Sequence, residues 1–286
     1  MTTFDSGVSS SAGEPDAKPA PGAMTLTEHL RELRSRLFKS ALAIVVGMVV
    51  AWIFYDPIYA FLSEPITKVI EQAQSEGRDI QVVVLGVTDP FTLKLKVSAM
   101  AGLVLSGPVW LYQLWRFVTP GLHKNERRTA YLFVGFGFPL FLAGIAMAYL
   151  VLPKGLDLLF GFTPENVGNY VEVSKYLTFF LRTALVFGLG FLLPLVLVAL
   201  NVVGILSGKR LLSWWRGIIF GVFLFAAVAT PSGDPITMFV LALPMLILVG
   251  SAIGFSFLND RRRARRGSEP DYDTWGDDET SPIAEE

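Results

Sequence analysis

Six uncharged, mostly apolar stretches run through the chain, at Ser40–Tyr55, Val97–Trp115, Thr129–Pro153, Thr183–Gly208, Gly217–Gly233 and Pro235–Asn259. A helix needs roughly 20 such residues to cross the hydrocarbon of a bilayer, where every backbone N–H and C=O must be satisfied inside the segment. The first stretch is short unless Leu37 and Phe38 join it with the Lys39 ammonium snorkelling to the surface. Only Thr230-Pro231-Ser232-Gly233-Asp234-Pro235 separates the last two, and such a cluster turns a chain rather than continuing a helix. With 52% hydrophobic and 17% charged residues, the composition is that of a membrane protein and not of a soluble domain with buried helices. The expected class is therefore all-α, an integral membrane protein of six transmembrane helices, bent and concave because Pro108, Pro139, Pro194 and Pro244 fall inside spans.

Orientation follows from Lys and Arg near the span ends. Arg31, Arg34, Arg36 and Lys39 precede span one, Arg116, Lys124, Arg127 and Arg128 follow span two, and Lys209, Arg210 and Arg216 lie between spans four and five. Arg261, Arg262, Arg263, Arg265 and Arg266 follow span six. With six spans all of these fall on one side, which is then cytoplasmic and carries both termini. Fewer basic residues flank the other side: Lys68, Arg78, Lys94, Lys96, Lys154, Lys175 and Arg182.

The expected organisation is a disordered tail over 1–23 and a membrane domain over 24–258. The latter comprises an amphipathic helix at 25–36 and spans at about 37–55, 95–117, 129–152, 180–206, 213–230 and 236–258. A charged, disordered tail over 259–286 completes it. The two outer loops carry apolar patches, around Pro65 and around Leu156–Phe160, and either cap the bundle or lie on the membrane face. Cysteine is absent and the only histidines are His29 and His123, which leaves no thiolate or histidine cluster for a metal. No phosphate-binding Gly-Lys-Ser/Thr loop, His-Glu-x-x-His pair or Gly-x-Ser-x-Gly elbow is present, so catalysis is not expected. A transporter or channel would place ionisable residues at membrane depth, and the spans hold almost none.

Two carboxylates near the basic side stand out. In the segment Glu28-His29-Leu30-Arg31-Glu32-Leu33-Arg34-Ser35-Arg36-Leu37, the plain reading of Glu32 is a pair with Arg36 one turn on, worth about 0.3–0.5 kcal/mol. Glu126 falls in the first turn of span three after a candidate capping residue, Asn125, where the helix dipole favours an anion. The sharper reading of both is a pair of carboxylates held at the membrane surface for a cationic ligand.

The sequence resembles the TatC family, the receptor subunit of the twin-arginine protein translocase. The resemblance rests on the Glu28–Leu37 segment, on Ser63-Glu64-Pro65 and Pro90-Phe91, and on the run Gly107-Pro108-Val109-Trp110 through Phe117-Val118-Thr119-Pro120-Gly121-Leu122. Glu126-Arg127-Arg128 and Ala229-Thr230-Pro231-Ser232-Gly233-Asp234-Pro235 extend it. It implies a receptor in the bacterial cytoplasmic membrane that binds paired arginines of signal peptides on folded precursors, without cofactor, metal or nucleic acid. It further implies assembly into a homo-oligomer with single-span TatA- and TatB-like subunits, and export driven by the proton-motive force. Residues matching Glu32 and Glu126 contact the arginines in that family. Arg34, Pro65, Phe117, Leu122, Arg127, Arg128 and Asp234 match supporting or sensitive positions. Many relatives carry a glutamate in span four just before the proline matching Pro194. Here Leu192 and Leu193 stand there, and Met238 replaces a polar partner, so Leu192, Pro194 and Met238 are candidates for apolar contact with the partner subunits.

Overall fold

The computed structural model describes residues 26–77, 80–118, 126–163, 169–229 and 235–267, and nearly all of them are helical. Helix α1 spans Leu26–Ile53 without a break, so the anticipated amphipathic helix and first span form a single rod. No proline interrupts it, and the Ser40 hydroxyl donates to the Arg36 carbonyl at 3.0 Å across the join. Leu30, Leu37, Phe38, Val45, Val49 and Ile53 point outward along it. Apolar side chains facing away from the protein over the length of a helix are in place only against lipid.

Four helices among the described residues are long and apolar enough to cross a membrane, counting α1. The others are α5, Glu126–Gly161, α6, Val173–Val203, and α9, Pro235–Gly267. A further span is broken into α3, Asp89–Leu105, and α4, Gly107–Val118, which meet at 60°. Pro108 has no N–H, and its ring displaces the carbonyl four residues earlier. The freed groups are satisfied locally: the Trp110 indole N–H donates to the Leu103 carbonyl at 3.0 Å, and the Ser106 hydroxyl reaches the same oxygen at 3.2 Å. The fifth expected span is α8, Trp215–Ala229, of 15 residues. It is about 22 Å long, short of a hydrocarbon core of about 30 Å. The six-span expectation thus becomes four whole spans, one bent and one short. The turn between α8 and α9 lies outside the described residues.

The expected tail boundary at 259 is corrected, because α9 continues to Gly267. Its far end is held by a polar clasp. Asp260 accepts from the Asn201 amide at 2.9 Å through Oδ1 and from the Gly208 backbone N–H at 2.7 Å through Oδ2. Asn259 donates to the Asn201 side-chain oxygen at 3.0 Å, and Asn201 also donates to the Leu206 carbonyl at 2.8 Å. The short helix α7, Gly208–Ser213, starts from this clasp, with Ser207 accepting from the Arg210 N–H.

At the other end, the first outer loop folds into α2, Tyr55–Ser75, whose Pro65, Ile66, Val69, Ile70 and Ala73 are buried. It caps the bundle. The Tyr149 hydroxyl lies 3.2 Å from Glu64 Oε2, the Tyr149 ring stacks on Phe61 at 4.6 Å, and the Tyr176 hydroxyl donates to the Leu62 carbonyl at 3.3 Å. One element departs from an all-helical reading: β1, Ile80–Val83, and β2, Asn169–Glu172, pair in parallel with Ile80 opposite Asn169. Gln74 donates to the Ile80 carbonyl at 2.9 Å and ties this ribbon to α2.

Two buried clusters fill the bundle. One includes Val97, Leu177, Phe180, Phe187, Leu241 and Met245, and the other Leu111, Trp115, Phe133, Phe141 and Leu192. Helix α1 stands at the edge, held to α3 by a crossing at Gly47 and Gly102.

Candidate functional site

The first four turns of α1 place Glu32 and Arg36 one above the other. The Arg36 guanidinium donates to Glu32 Oε1 from Nε at 3.1 Å and also from Nη2. Both side chains are mostly withdrawn from solvent, Arg36 at 12% and Glu32 at 24% exposed. The second oxygen, Glu32 Oε2, is buried and has no hydrogen-bond partner among the described residues. A buried acceptor left unpaired costs about 1–3 kcal/mol, more when it is charged. The ordinary i,i+4 pair is therefore present, yet it engages only half of the carboxylate.

Beside this pair lies an apolar cleft of about 420 Å³. One wall is α1, through Leu33, Arg36, Leu37, Ser40 and Ile44; the facing wall is α4, through Trp110, Gln113, Leu114 and Phe117. Leu103 of α3 and Leu185 and Leu189 of α6 complete the lining. The 60° break at Ser106 sets the direction of the α4 wall. Arg36, paired with Glu32, thus borders a hydrophobic slot. Such an arrangement suits a segment in which arginine precedes apolar residues.

The sequence-derived site residues are distributed unevenly. Phe117 lines the cleft with Arg36, whereas Arg34 is exposed and outside its lining. Glu126, Arg127 and Arg128 open α5, but their side chains lie outside the described ones, as do Leu122 and Asp234 altogether. Pro65 is buried in α2, in the cap at the far end from Glu32. Leu192 is buried in the second core cluster, and its neighbour Leu193 is 44% exposed. Pro194 lines a separate apolar hollow of about 500 Å³ between α5, α6 and α9, and Met238 packs against the main core. The three partner-contact candidates do not share one surface.

Sequence reasoning passed over Trp110, Gln113 and Leu114 as ordinary span residues, because it took span two as a single helix. The Asn201–Asp260 clasp was also missed, although Asn201 is the one amide in an otherwise apolar stretch. Among the described residues no group of three His, Asp or Glu side chains is placed to hold a metal ion. In the cap, Lys68 donates a hydrogen bond to Glu64, and together with its positive charge this holds the Glu64 carboxyl below the usual carboxylate range. Glu64 in turn raises Lys68 above the ordinary lysine value.

A bundle of long apolar helices with an almost uncharged interior and an apolar cleft between α1 and α4 defines a polytopic membrane protein. The family model for the Sec-independent protein translocase protein (TatC) matches residues 28–244. The chain belongs to the TatC family, a transport family and not an enzyme family. It is 45% identical to the Sec-independent protein translocase protein TatC of Frankia casuarinae, over 91% of this chain and 73% of that one. It is 33% identical to TatC of Aquifex aeolicus, over 84% of this chain and 98% of that one. Among solved structures it is similar to a crystal structure of the twin arginine translocase receptor TatC in DDM. The TM-score is 0.68 at 32% identity, covering 80% of this chain and 99% of that one.

Proposed function

We propose that this translocase subunit binds twin-arginine signal peptides of folded precursors at the bundle end that carries Glu32 and the start of α5. That end faces the cytoplasm of a bacterial plasma membrane in this reading, with both termini on the same side. The observation that supports the proposal is the unpartnered Glu32 Oε2, on a side chain paired with Arg36, which itself lines the apolar cleft. An incoming guanidinium takes the free oxygen while Arg36 keeps the other. Arginine's planar fork suits a carboxylate in a way that lysine's point charge does not. At an effective dielectric of about 20, one such contact supplies on the order of 4 kcal/mol of Coulomb attraction before desolvation. Glu126 supplies the second carboxylate, favoured by the α5 dipole at its first residue.

The cleft between α1 and α4 receives the apolar residues that follow the arginines. The complex includes further copies of this chain and single-span TatA- and TatB-like subunits, and transport is driven by the proton-motive force. With leucines in place of a span-four acid, contact with those subunits is by apolar packing, to which the exposed Leu193 contributes, while the neighbouring Leu192 is buried in the core.

The experiment is site-specific photocrosslinking from positions 32, 114 and 126 to a twin-arginine precursor, with a Lys-Lys precursor as control. Crosslinks from all three positions to the Arg-Arg form, and strong loss with Lys-Lys, are expected. Equal crosslinking of both precursors would overturn the assignment.

A further inference from the structure

At the opposite end of the bundle, α3 and α6 face each other across a cleft of about 420 Å³ unlike any surface of the apolar core. On α3, Asp89 and Lys96 are seven residues apart and share a face. On α6, Lys175, Thr178 and Arg182 do the same. The charges are ordered along the cleft. The acids are at the rim, Asp89 in the first turn of α3 and Glu172 just before α6. Lys96 is about 10 Å and Arg182 about 13 Å along their helices at 1.5 Å per residue. Arg182 falls inside the Val173–Val202 segment that qualifies as a membrane span, and Lys96 inside the bent span.

The rim charges are already engaged. Glu172 pairs with Lys175 at 2.8 Å, and Asp89 accepts from the Gly86 N–H at 2.8 Å. The deep cations are not neutralised. The Lys96 ammonium donates to the Thr178 hydroxyl at 3.1 Å, and among the described residues neither Lys96 nor Arg182 has a carboxylate partner. Both side chains are exposed on the flank of the bundle. Cations at membrane depth are costly and occur where something compensates them.

We infer that Lys96 and Arg182, with Thr178 between them, form a binding site for the phosphodiester headgroup of a phospholipid in the leaflet at the end opposite Glu32. A phosphate offers the anionic oxygens these two donors lack, and Arg182 matches it with a fork of N–H groups. The depth of the pair favours a lipid over a soluble anion, because a lipid brings its phosphate with acyl chains already in hydrocarbon. Lysine and arginine stems then lie along the apolar flank with their heads at the phosphate level. The chemistry uses none of the residues of the Glu32 cleft, so it stands apart from the peptide-binding reading.

The test uses the full chain, delipidated in dodecylmaltoside and titrated with dioctanoyl phosphatidylglycerol, with binding read by native mass spectrometry. Dioctanoylglycerol and inorganic phosphate serve as the tail-only and anion-only probes. The wild type binds the phospholipid, K96Q/R182Q binds it weaker by on the order of tenfold, and K96R/R182K retains it. Equal binding by K96Q/R182Q, equal binding of dioctanoylglycerol, or displacement by inorganic phosphate at comparable concentration overturns the proposal. If K96Q/R182Q elutes as aggregate, R182Q alone is read in the same titration, where affinity equal to wild type is the overturning result and a loss supports the site.

Discussion

Gly47 of α1 and Gly102 of α3 meet backbone to backbone. A Cβ on Gly47 would stand 2.7 Å from the Gly102 carbonyl oxygen, and one on Gly102 would stand 2.4 Å from the Met48 nitrogen. In a membrane, where lipid is as apolar as leucine, close approach of small residues is a principal source of helix association. It matters most for α1, whose other faces are largely open. Replacing Gly102 with Val forces the two rods apart at a cost of about 1–3 kcal/mol. The melting temperature in detergent should fall, and because α1 is one wall of the cleft, peptide affinity should fall with it. A variant with wild-type melting and wild-type affinity would remove the crossing from the account.

Glu32→Gln preserves shape but removes the charge that an incoming guanidinium requires. Affinity for a twin-arginine peptide should drop by on the order of tenfold, the cost of one charge-assisted hydrogen bond. Melting should change little, since a pair of this kind near a surface contributes about 0–1 kcal/mol. Isothermal titration with Arg-Arg and Lys-Lys peptides separates the outcomes. An undiminished preference for Arg-Arg in the variant argues against Glu32 as the contact.

Asp260 satisfies two donors, one N–H of the Asn201 amide, whose other goes to the Leu206 carbonyl, and the Gly208 N–H. Asn201 is 1% exposed. Asp260→Ala should therefore cost about 1–3 kcal/mol for each donor left unpaired. Hydrogen exchange should accelerate selectively over residues 207–212 and at the end of α9. Protection equal to wild type in these segments would show that the clasp does not hold them.

In the cap, the sign of the pH response follows from two opposite shifts. The Glu64 value is lowered in the folded state, so its contribution is present above the ordinary carboxylate range and disappears as pH falls through the lowered value. The Lys68 value is raised, so its contribution is present below the ordinary lysine value and disappears as pH rises through the raised one. The α2–α5 contact should be tightest across the neutral range. Amide protection factors in α2, corrected for the intrinsic pH dependence of exchange, should be higher at about pH 6 than at about pH 3, and Glu64→Gln should abolish that difference. An unchanged pH response in the variant would assign it to another group.

Leu192 and Leu193 should separate stability from assembly. Leu192→Ala removes a core side chain and should cost about 2–5 kcal/mol. Leu193→Ala acts on an exposed one and should leave melting nearly unchanged while weakening crosslinks to single-span subunits. Identical effects of the two substitutions on both measurements would count against the division.

The spans were legible because hydrocarbon imposes a coarse rule, a run of uncharged residues of sufficient length, and α5, α6 and α9 obey it. What escaped was set by contacts distant in sequence. Nothing near Ile80 or Asn169 marks two four-residue strands that find each other across the whole of α3, α4 and α5 in sequence. The continuation of α9 past Asn259 depends on Asn201 and Gly208, so a reading confined to local charge ended the helix where the arginines begin. The break at Ser106 was half visible: Pro108 announced a kink, but not its 60° size or the hydrogen bonds from Trp110 and Ser106 to the Leu103 carbonyl that accompany it. Glu32 was found with its most ordinary partner, Arg36. The cleft beside it was hidden, because α1 and α4 meet only in three dimensions.

The clasp at Asp260 also bears on the order in which the molecule is made. Asn201 and Gly208 leave the ribosome long before Asp260, and until the last span is inserted their donors lack the acceptor that closes the α6–α7 turn. That turn is therefore finished only when synthesis of the membrane domain is complete. A chain truncated before Asp260 lacks that acceptor and cannot close this turn in the same way.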